Sequence, residues 1–308
     1  QDIKRLVHFN IIKMKQAEIT NYIQKAIVGI LCATLFLFPL LFLTTTTDPF
    51  FIPKQVLLVV SASLLATLWA ASCIAERKIK LRTGPFNIPV AAFGIIVFVS
   101  SLLSRNMFDS LATSIPLLAA IVIYFVFINS VTDKKSFVAV ITALIAGGAV
   151  SSLVSIAYYF KIYFLPIPAI QSQYFSTFGS PLQHLIYVVA LALLCVFALL
   201  QEFKGRKFES NYNTMFFGGA GAVLVLSIVL IIFQIITVPQ KPVLLPYQYG
   251  FQIATAAISQ DGGTQSVFGL PVMRMLISLP LGSGYGTFLT DFTRFKLADI
   301  NGNPTLWV

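Results

Sequence analysis

An alternation of glycines, Gly282-Ser283-Gly284-Tyr285-Gly286, stands between two arginines, Arg274 and Arg294. Glycines so spaced let a backbone turn tightly or approach a phosphate closely. No strand–helix unit surrounds the run, so a tight turn is the plainer reading than a nucleotide cradle. Asp48, just before Pro49, has the chemistry of a metal-binding or basic carboxylate, yet its neighbours are those of a turn and no second carboxylate is close in sequence. The two histidines are His8 and His184. Cys32, Cys73 and Cys195 have neither disulfide-framework nor metal-ligand spacing and read as small apolar core residues. No Ser–His–Asp set or metal cluster can be assembled from these residues, and no metal or cofactor is expected.

The elements that position them are read from hydropathy. Seven stretches, 26–44, 55–75, 88–104, 112–130, 137–159, 183–200 and 214–237, contain no Asp, Glu, Lys or Arg. A helix needs roughly 20 apolar residues to cross the hydrocarbon core, and lipid offers the backbone no partners, so each is predicted helical. The expectation is an all-α polytopic transmembrane bundle of about seven spans. A basic segment, 1–25, precedes the spans at 26–237. The region 238–308 is too polar to span, although 251–259 and 269–279 are apolar enough for short helices. A hydrophobic share of 57% and a charged share of 10% exclude an ordinary soluble domain. The first span is no signal peptide, since further spans follow and no small-residue cleavage site flanks it.

Charge predicts orientation. Fourteen of the 21 Lys and Arg lie before span one and after spans two, four and six, whereas Lys54, Arg105 and Lys161 alone occupy the short connections opposite. The positive-inside rule then makes the N-terminus cytoplasmic and 238–308 extracytoplasmic. The net charge of +10 expresses this topology and attraction to anionic membrane lipids. It is no nucleic-acid footprint, because the basic residues form no single face. His8 falls on the cytoplasmic side, and His184 is the outward histidine, expected to hydrogen-bond at the interface beside span six. Residues 1–13 read either as translated upstream sequence ahead of Met14 or as a basic amphipathic segment on the inner leaflet. Small residues in "IAGGAVSS" and "FFGGAGAV" are expected to pack helices closely. The third outer loop, 160–182, is rich in Tyr and Phe, as interfacial belts are.

Several loop segments together resemble one family. "PLGSGYGTF" (Pro280 to Phe288) resembles the Gly-rich signature in the large outer loop of the O-antigen ligase and O-antigen polymerase family. "DFTRFKLADINGNPTLW" is similar to its continuation, "STFGSP" to a motif ahead of a later span (with Ser180 where Asn is common), and "DPFFIPKQVLL" to the first hairpin. The resemblance covers about residue 14 to the end. It implies a GT-C-like membrane glycosyltransferase of the bacterial inner membrane. Such an enzyme moves a glycan from undecaprenyl diphosphate to a lipid or glycan acceptor on the outer face. A lipid diphosphate leaving group calls for fixed cations, and the planar fork of Arg matches phosphate oxygens. The resemblance thus makes Arg274, Arg294 and Arg105 candidates for diphosphate binding, against a reading as solvated or headgroup-paired arginines. It makes Gly282, Gly284 and Gly286 the loop turn. The family's upstream arginine has no clear counterpart. Its histidine motif would lie beyond Val308, so the sequence reads as a C-terminally truncated piece, inactive alone and with its catalytic base unknown.

The rival class is a transporter or flippase of lipid-linked sugars, or a non-catalytic polytopic component of cell-surface polysaccharide assembly. Transporters carry ionisable residues or broken helices at mid-membrane, and the seven apolar stretches carry no such charges and show no internal repeat. The glycan, the acceptor and the choice between ligase and polymerase are not encoded legibly. The topology is directly testable. Lys80→Cys and Gln265→Cys in a cysteine-free background should differ in labelling by an impermeant thiol reagent in intact cells, with position 265 labelled and position 80 protected. Equal labelling would defeat the assignment.

Overall fold

The structure, a computed structural model, describes residues 2–79, 81–104, 106–164, 166–203, 211–237, 247–259, 264–267, 270–273 and 281–296. Its elements are α1 (Asp2–Leu37), α2 (Phe51–Glu76), α3 (Asn87–Leu102), α4 (Met107–Ser130), α5 (Lys134–Tyr159), a 3₁₀ turn (Pro168–Ile170), α6 (Pro181–Phe203), α7 (Asn211–Thr237), α8 (Tyr247–Ser259), strands β1 (Thr264–Val267) and β2 (Leu270–Met273), and α9 (Phe288–Phe295). Among the described residues the fold is helical apart from two antiparallel strands, in which Val267 pairs with Leu270.

Among the described residues, six helices are long and apolar enough to cross a bilayer: Glu18–Leu37 of α1, then α2, α4, α5, α6 (to Leu200) and Thr214–Thr237 of α7. Many of their large apolar side chains face outward, among them Val225, Val229 and Phe233 of α7 and Leu193 and Phe197 of α6. That surface suits lipid rather than water, and the whole fits a multi-pass membrane protein. The expectation of about seven spans needs correcting at α3. Its 16 residues rise roughly 24 Å, short of a ~30 Å core. The first span also ends earlier than expected, at Leu37 rather than at 44. Pro39 cannot continue the backbone ladder and disfavours helix in the residue before it, so the helix stops at Leu37.

The expected helix over 269–279 is likewise replaced, where described, by β2. Pro271 is poorly suited to a helix interior and is tolerated at a sheet edge. The tail 297–308 lies outside the described residues.

The chain falls into two compact units, residues 1–82 with 123–239, and 83–122 with 240–308. In the first, α1 packs on α2 and α5, α5 on α7, and α6 along α7. Ile145, Val188, Leu191, Cys195, Phe217 and Leu224 fill the α5–α6–α7 core. Gly147 and Gly148 make that approach possible. A Cβ on Gly147 would sit 2.5 Å from the Phe36 carbonyl oxygen of α1, and one on Gly148 would overlap Leu191 of α6. The packing role expected of "IAGGAVSS" holds there. It fails for Gly218 and Gly219, whose Cβ positions meet nothing within 4 Å.

Helix ends in this unit are capped from within. Asp48 Oδ1 accepts from the backbone N–H of Phe50 (3.0 Å) and Phe51 (2.9 Å) where α2 begins. Asp133 accepts from Ser136 N–H at 2.8 Å. Helices α2 and α5 both end in Schellman turns, with Lys78 N–H bonded to Cys73 O and Ile162 N–H to Ala157 O. The left-handed position of each is held by a cation rather than glycine, Arg77 (φ 51°) and Lys161 (φ 63°).

In the second unit α3, the N-terminal part of α4, α8 and α9 surround the segment Leu281–Thr287, with α8 against α9.

The glycine contacts generate a stability prediction. Gly147→Ala should lower stability by about 1–3 kcal/mol through forced separation of α1 and α5. Gly218→Ala should be neutral or stabilising by up to ~1 kcal/mol, since a helical glycine is replaced without a clash. Thermal unfolding of both variants in detergent checks the contrast.

Candidate functional site

In the first unit a polar cluster is built where α2 and α6 begin. Lys54 lies in the first turn of α2 and is 7% exposed; His184 lies in the first turn of α6 and is fully buried. Loop three joins them. Lys54 Nζ donates to Thr177 O at 2.5 Å and stands 4.6 Å from the centroid of the Phe178 ring. Phe178 in turn stacks on the His184 imidazole, centroids 5.2 Å apart and planes inclined by 15°. Gly179 follows with φ +77°, and a Cβ there would meet the Phe50 ring at 2.6 Å. The "FGSP" turn therefore needs glycine both for its dihedral and for contact with the first hairpin.

Helix α5 closes the cluster. Ser151 Oγ is 2.7 Å from Thr177 Oγ1 and 3.3 Å from His184 Nε2, and Ser155 Oγ is 3.3 Å from Nδ1. Ser151 and Ser155, four residues apart, share one helix face. A neutral imidazole can donate from one nitrogen and accept at the other, so both contacts can be satisfied. Tyr187, whose ring lies 4.9 Å from Phe178, has a buried hydroxyl with no hydrogen-bond partner among the described residues.

The electrostatics are unusual. A buried ammonium ordinarily sits against a carboxylate, yet among the described residues no carboxylate forms an ion pair with Lys54. The position also opposes the helix dipole, because the first turn of a helix carries partial positive charge and favours anions. Lys54 thus adds its charge to the electropositive ends of α2 and α6. Phe42, Phe50, Tyr158, Ile167, Ile170 and Phe175 form an apolar cluster beside it. Of the loop-three aromatics expected to line the interface, Phe175 is interior packing, 8% exposed and set against the fully buried Tyr158 of α5.

The second unit holds the Gly-rich segment. Ser100 donates to Leu281 O (2.7 Å), Ser104 to Ser283 O (3.1 Å) and Ser110 to Tyr285 O (2.8 Å), so alternate carbonyls are pinned by hydroxyls of α3, α4 and their connection. Ser283 also bonds to Asp291 and lies 3.1 Å from Thr287 Oγ1. Gly282, Gly284 and Gly286 all have positive φ. A Cβ on Gly284 would strike Ser104, and one on Gly286 would strike Thr113. These two glycines are required by contact with the unit's own helices, and Gly282 meets nothing within 4 Å. Arg294, in the last turn of α9, is exposed with its guanidinium carbon 5.0 Å from the Phe295 ring centroid. Arg105 and Arg274 lie outside the described residues.

Asp48 is a capping residue, as its turn-like neighbours suggest. His184 departs from the expected interfacial position by being enclosed. The serines and Thr177 escaped the sequence reading, although the i, i+4 spacings Ser100/Ser104 and Ser151/Ser155 carried a signal. Comparison with protein-family models, curated proteins and solved structures gives no match to this chain.

If Lys54 is there for an anion rather than for the fold, its charge is a burden on stability. Lys54→Met should leave the melting temperature equal or higher, since apolar replacement of a buried charge is often neutral or stabilising. His184→Ala should cost about 2–4 kcal/mol by opening a cavity and stranding two serine hydroxyls. Melting of both purified variants decides the point.

Proposed function

We propose that the protein is a membrane glycosyltransferase of the O-antigen ligase and polymerase type. It would take a glycan from an undecaprenyl-diphosphate carrier and pass it to a lipid or glycan acceptor at the outer face of a bacterial inner membrane. The N-terminus is then cytoplasmic, and the first turns of α2 and α6 lie toward that outer face. The observation that carries the reading is the buried positive charge of Lys54 in the first turn of α2, with no ion pair among the described residues. A cation placed at the positive end of a helix is stabilised by an anion arriving there.

Two segments of the family resemblance supply the site. Phe50 and Lys54 come from "DPFFIPKQVLL", and Thr177, Phe178 and Gly179 from "STFGSP". Their contacts, across 123 positions of sequence, support treating them as one functional assembly. In glycosyl transfer from a lipid diphosphate, the bond between the sugar and the diphosphate oxygen breaks as the acceptor oxygen attacks. Negative charge then accumulates on the leaving diphosphate. Lys54 and the two helix ends would stabilise that charge; Arg294, Arg274 and Arg105, which belong to the other compact unit, are the candidates that the family resemblance offers on its own account.

Membranes containing the full-length protein should release undecaprenyl diphosphate from a lipid-linked glycan donor when acceptor is present. Loss of a charge-assisted contact costs roughly 1.5–3 kcal/mol, so Lys54→Ala and Arg294→Ala should each slow release about ten- to a hundredfold at matched expression. Lys54→Arg should recover part of the rate. Release independent of the protein would overturn the assignment. Movement of intact donor across the membrane, without detachment of the glycan, would instead establish the flippase class.

A further inference from the structure

In the second unit the serine contacts fix a depth. Ser110, which donates to Tyr285 O, lies in the first turn of α4, and Ser100, which donates to Leu281 O, lies in the last turn of α3. Helix α4 is of spanning length and composition, so its first turn marks an edge of the hydrocarbon. The segment Leu281–Thr287 runs across that edge, and α9 leaves it directly at Phe288. The eight residues of α9 rise only about 12 Å. All of α9, and α8 packed on it, therefore stays close to the level where headgroups begin.

The outward faces of these two helices do not suit water. Helix α8 carries no charged side chain. Ile253 and Ala257, one turn apart, are buried. A helix with protein on one side and water on the other turns a polar face outward. In α8 only Gln248, Gln252 and Thr255 do so. Beside that strip Tyr247, Phe251 and Ala254 are exposed at i, i+4 and i+7, with Ile258 partly exposed at i+11. Tyr247 is 89% and Phe251 64% exposed. In α9, Phe288 and Leu289 are exposed as well, while Asp291 is bonded to Ser283.

We infer that α8 and α9 lie in the surface of one leaflet, with Tyr247, Phe251, Phe288 and Leu289 among the acyl chains just below the headgroups. Aromatic rings are the side chains that settle at this level. Lipid is the partner because the same unit already turns such a surface outward: Phe93, Ile95 and Ile96 are exposed on the wholly apolar middle of α3. With Gln and Thr as its polar strip, α8 makes contact through apolar area and needs no anionic headgroup. The region after α7 is then no free extracytoplasmic loop, since α8 and α9 belong to the membrane surface. The inference stands apart from the transfer chemistry proposed above, so either can fail without the other.

The test is tryptophan quenching in the full chain reconstituted in phosphatidylcholine vesicles, with Trp69→Phe and Trp307→Phe removing the native indoles. Single tryptophans are placed at apolar positions by Phe251→Trp and Phe288→Trp, and at polar ones by Gln252→Trp and Thr290→Trp. Positions 251 and 252 lie roughly 100° apart around α8, so one helix supplies both the probe and its control. An interfacial helix sits about 5–10 Å deep, so acyl-brominated phosphatidylcholine should remove about half or more of the emission at 251 and 288. Iodide on both faces of the vesicles should quench 252 and 290 and spare 251 and 288. Iodide quenching that is equal at all four positions would overturn the inference, because the helices would then stand in water. Protection of 251 and 288 from both quenchers would overturn it too, because a second copy or another protein would then cover them. Tyr247→Trp and Leu289→Trp, on the same apolar edges, replace any variant that does not purify as a monodisperse protein.

Discussion

Hydrocarbon offers no hydrogen bonds, and that one constraint orders this protein. Every backbone polar group in a span has to be answered by the chain itself, and many side-chain groups are answered too. The answers are short-range and specific: Thr34 of α1 bonds to Ser61 of α2 at 2.8 Å, and Gln234 of α7 reaches the Gln173 carbonyl of loop three at 3.0 Å. Loop three can therefore lie against the helices with its backbone partly satisfied by side chains. The Lys54–Thr177 contact belongs to the same pattern but differs in kind, because it brings a full charge. Hydroxyl and amide contacts across membrane helices contribute modestly, ~0.6 kcal/mol on average where measured. A buried ammonium carries a desolvation cost of several kcal/mol. One carbonyl, one aromatic face and the nearby charge of Asp48, itself engaged in capping α2, answer that cost only in part, which is why Lys54 points to function more strongly than the serines do.

The second dependence is on close approach. Gly147 and Gly148 occupy successive positions of α5 and face different partners, the Phe36 backbone of α1 and Leu191 of α6. With no hydrophobic drive between helices in lipid, contact area has to come from backbones that can touch. The same α5 carries Ser151 and Ser155 one turn and two turns further on. Close packing at the glycines is thus what brings the serine face of α5 up to His184 and Thr177. A side chain at position 147 would act on the polar cluster through the helix, without touching it.

Much of the architecture was legible in the sequence because hydropathy reports burial in lipid directly. Six of the seven expected stretches correspond to helices of spanning length. What hydropathy does not report is where a helix ends. Helix α1 runs unbroken through polar residues such as Thr20 and Asn21, and it stops before Pro39. Asn87–Leu102 is apolar throughout but short, and composition alone does not show that. The hairpin at 264–273 was hidden for a different reason, since a brief apolar run fits helix or strand equally and Pro271 decides between them locally.

The site was legible as residues and illegible as an assembly. Lys54, His184 and the glycine run each stood out by type. Nothing in their spacing announced that Lys54 would meet Thr177, because that pairing is made by the helix packing rather than by any local rule. The Gly-rich run shows the converse. Its spacing suggested a backbone free to approach a ligand, and Gly284 and Gly286 are instead used against Ser104 and Thr113 of the same unit. With three carbonyls already accepting from serines, the segment is held from one side, and groups available to a ligand there have to come from its other side, including α9 and its Arg294. A segment fixed in that way presents Arg294 from a supported platform, whereas Lys54 is fixed by burial. The two cations therefore differ in what positions them, and a substitution in the serine ladder should disturb the first without reaching the second.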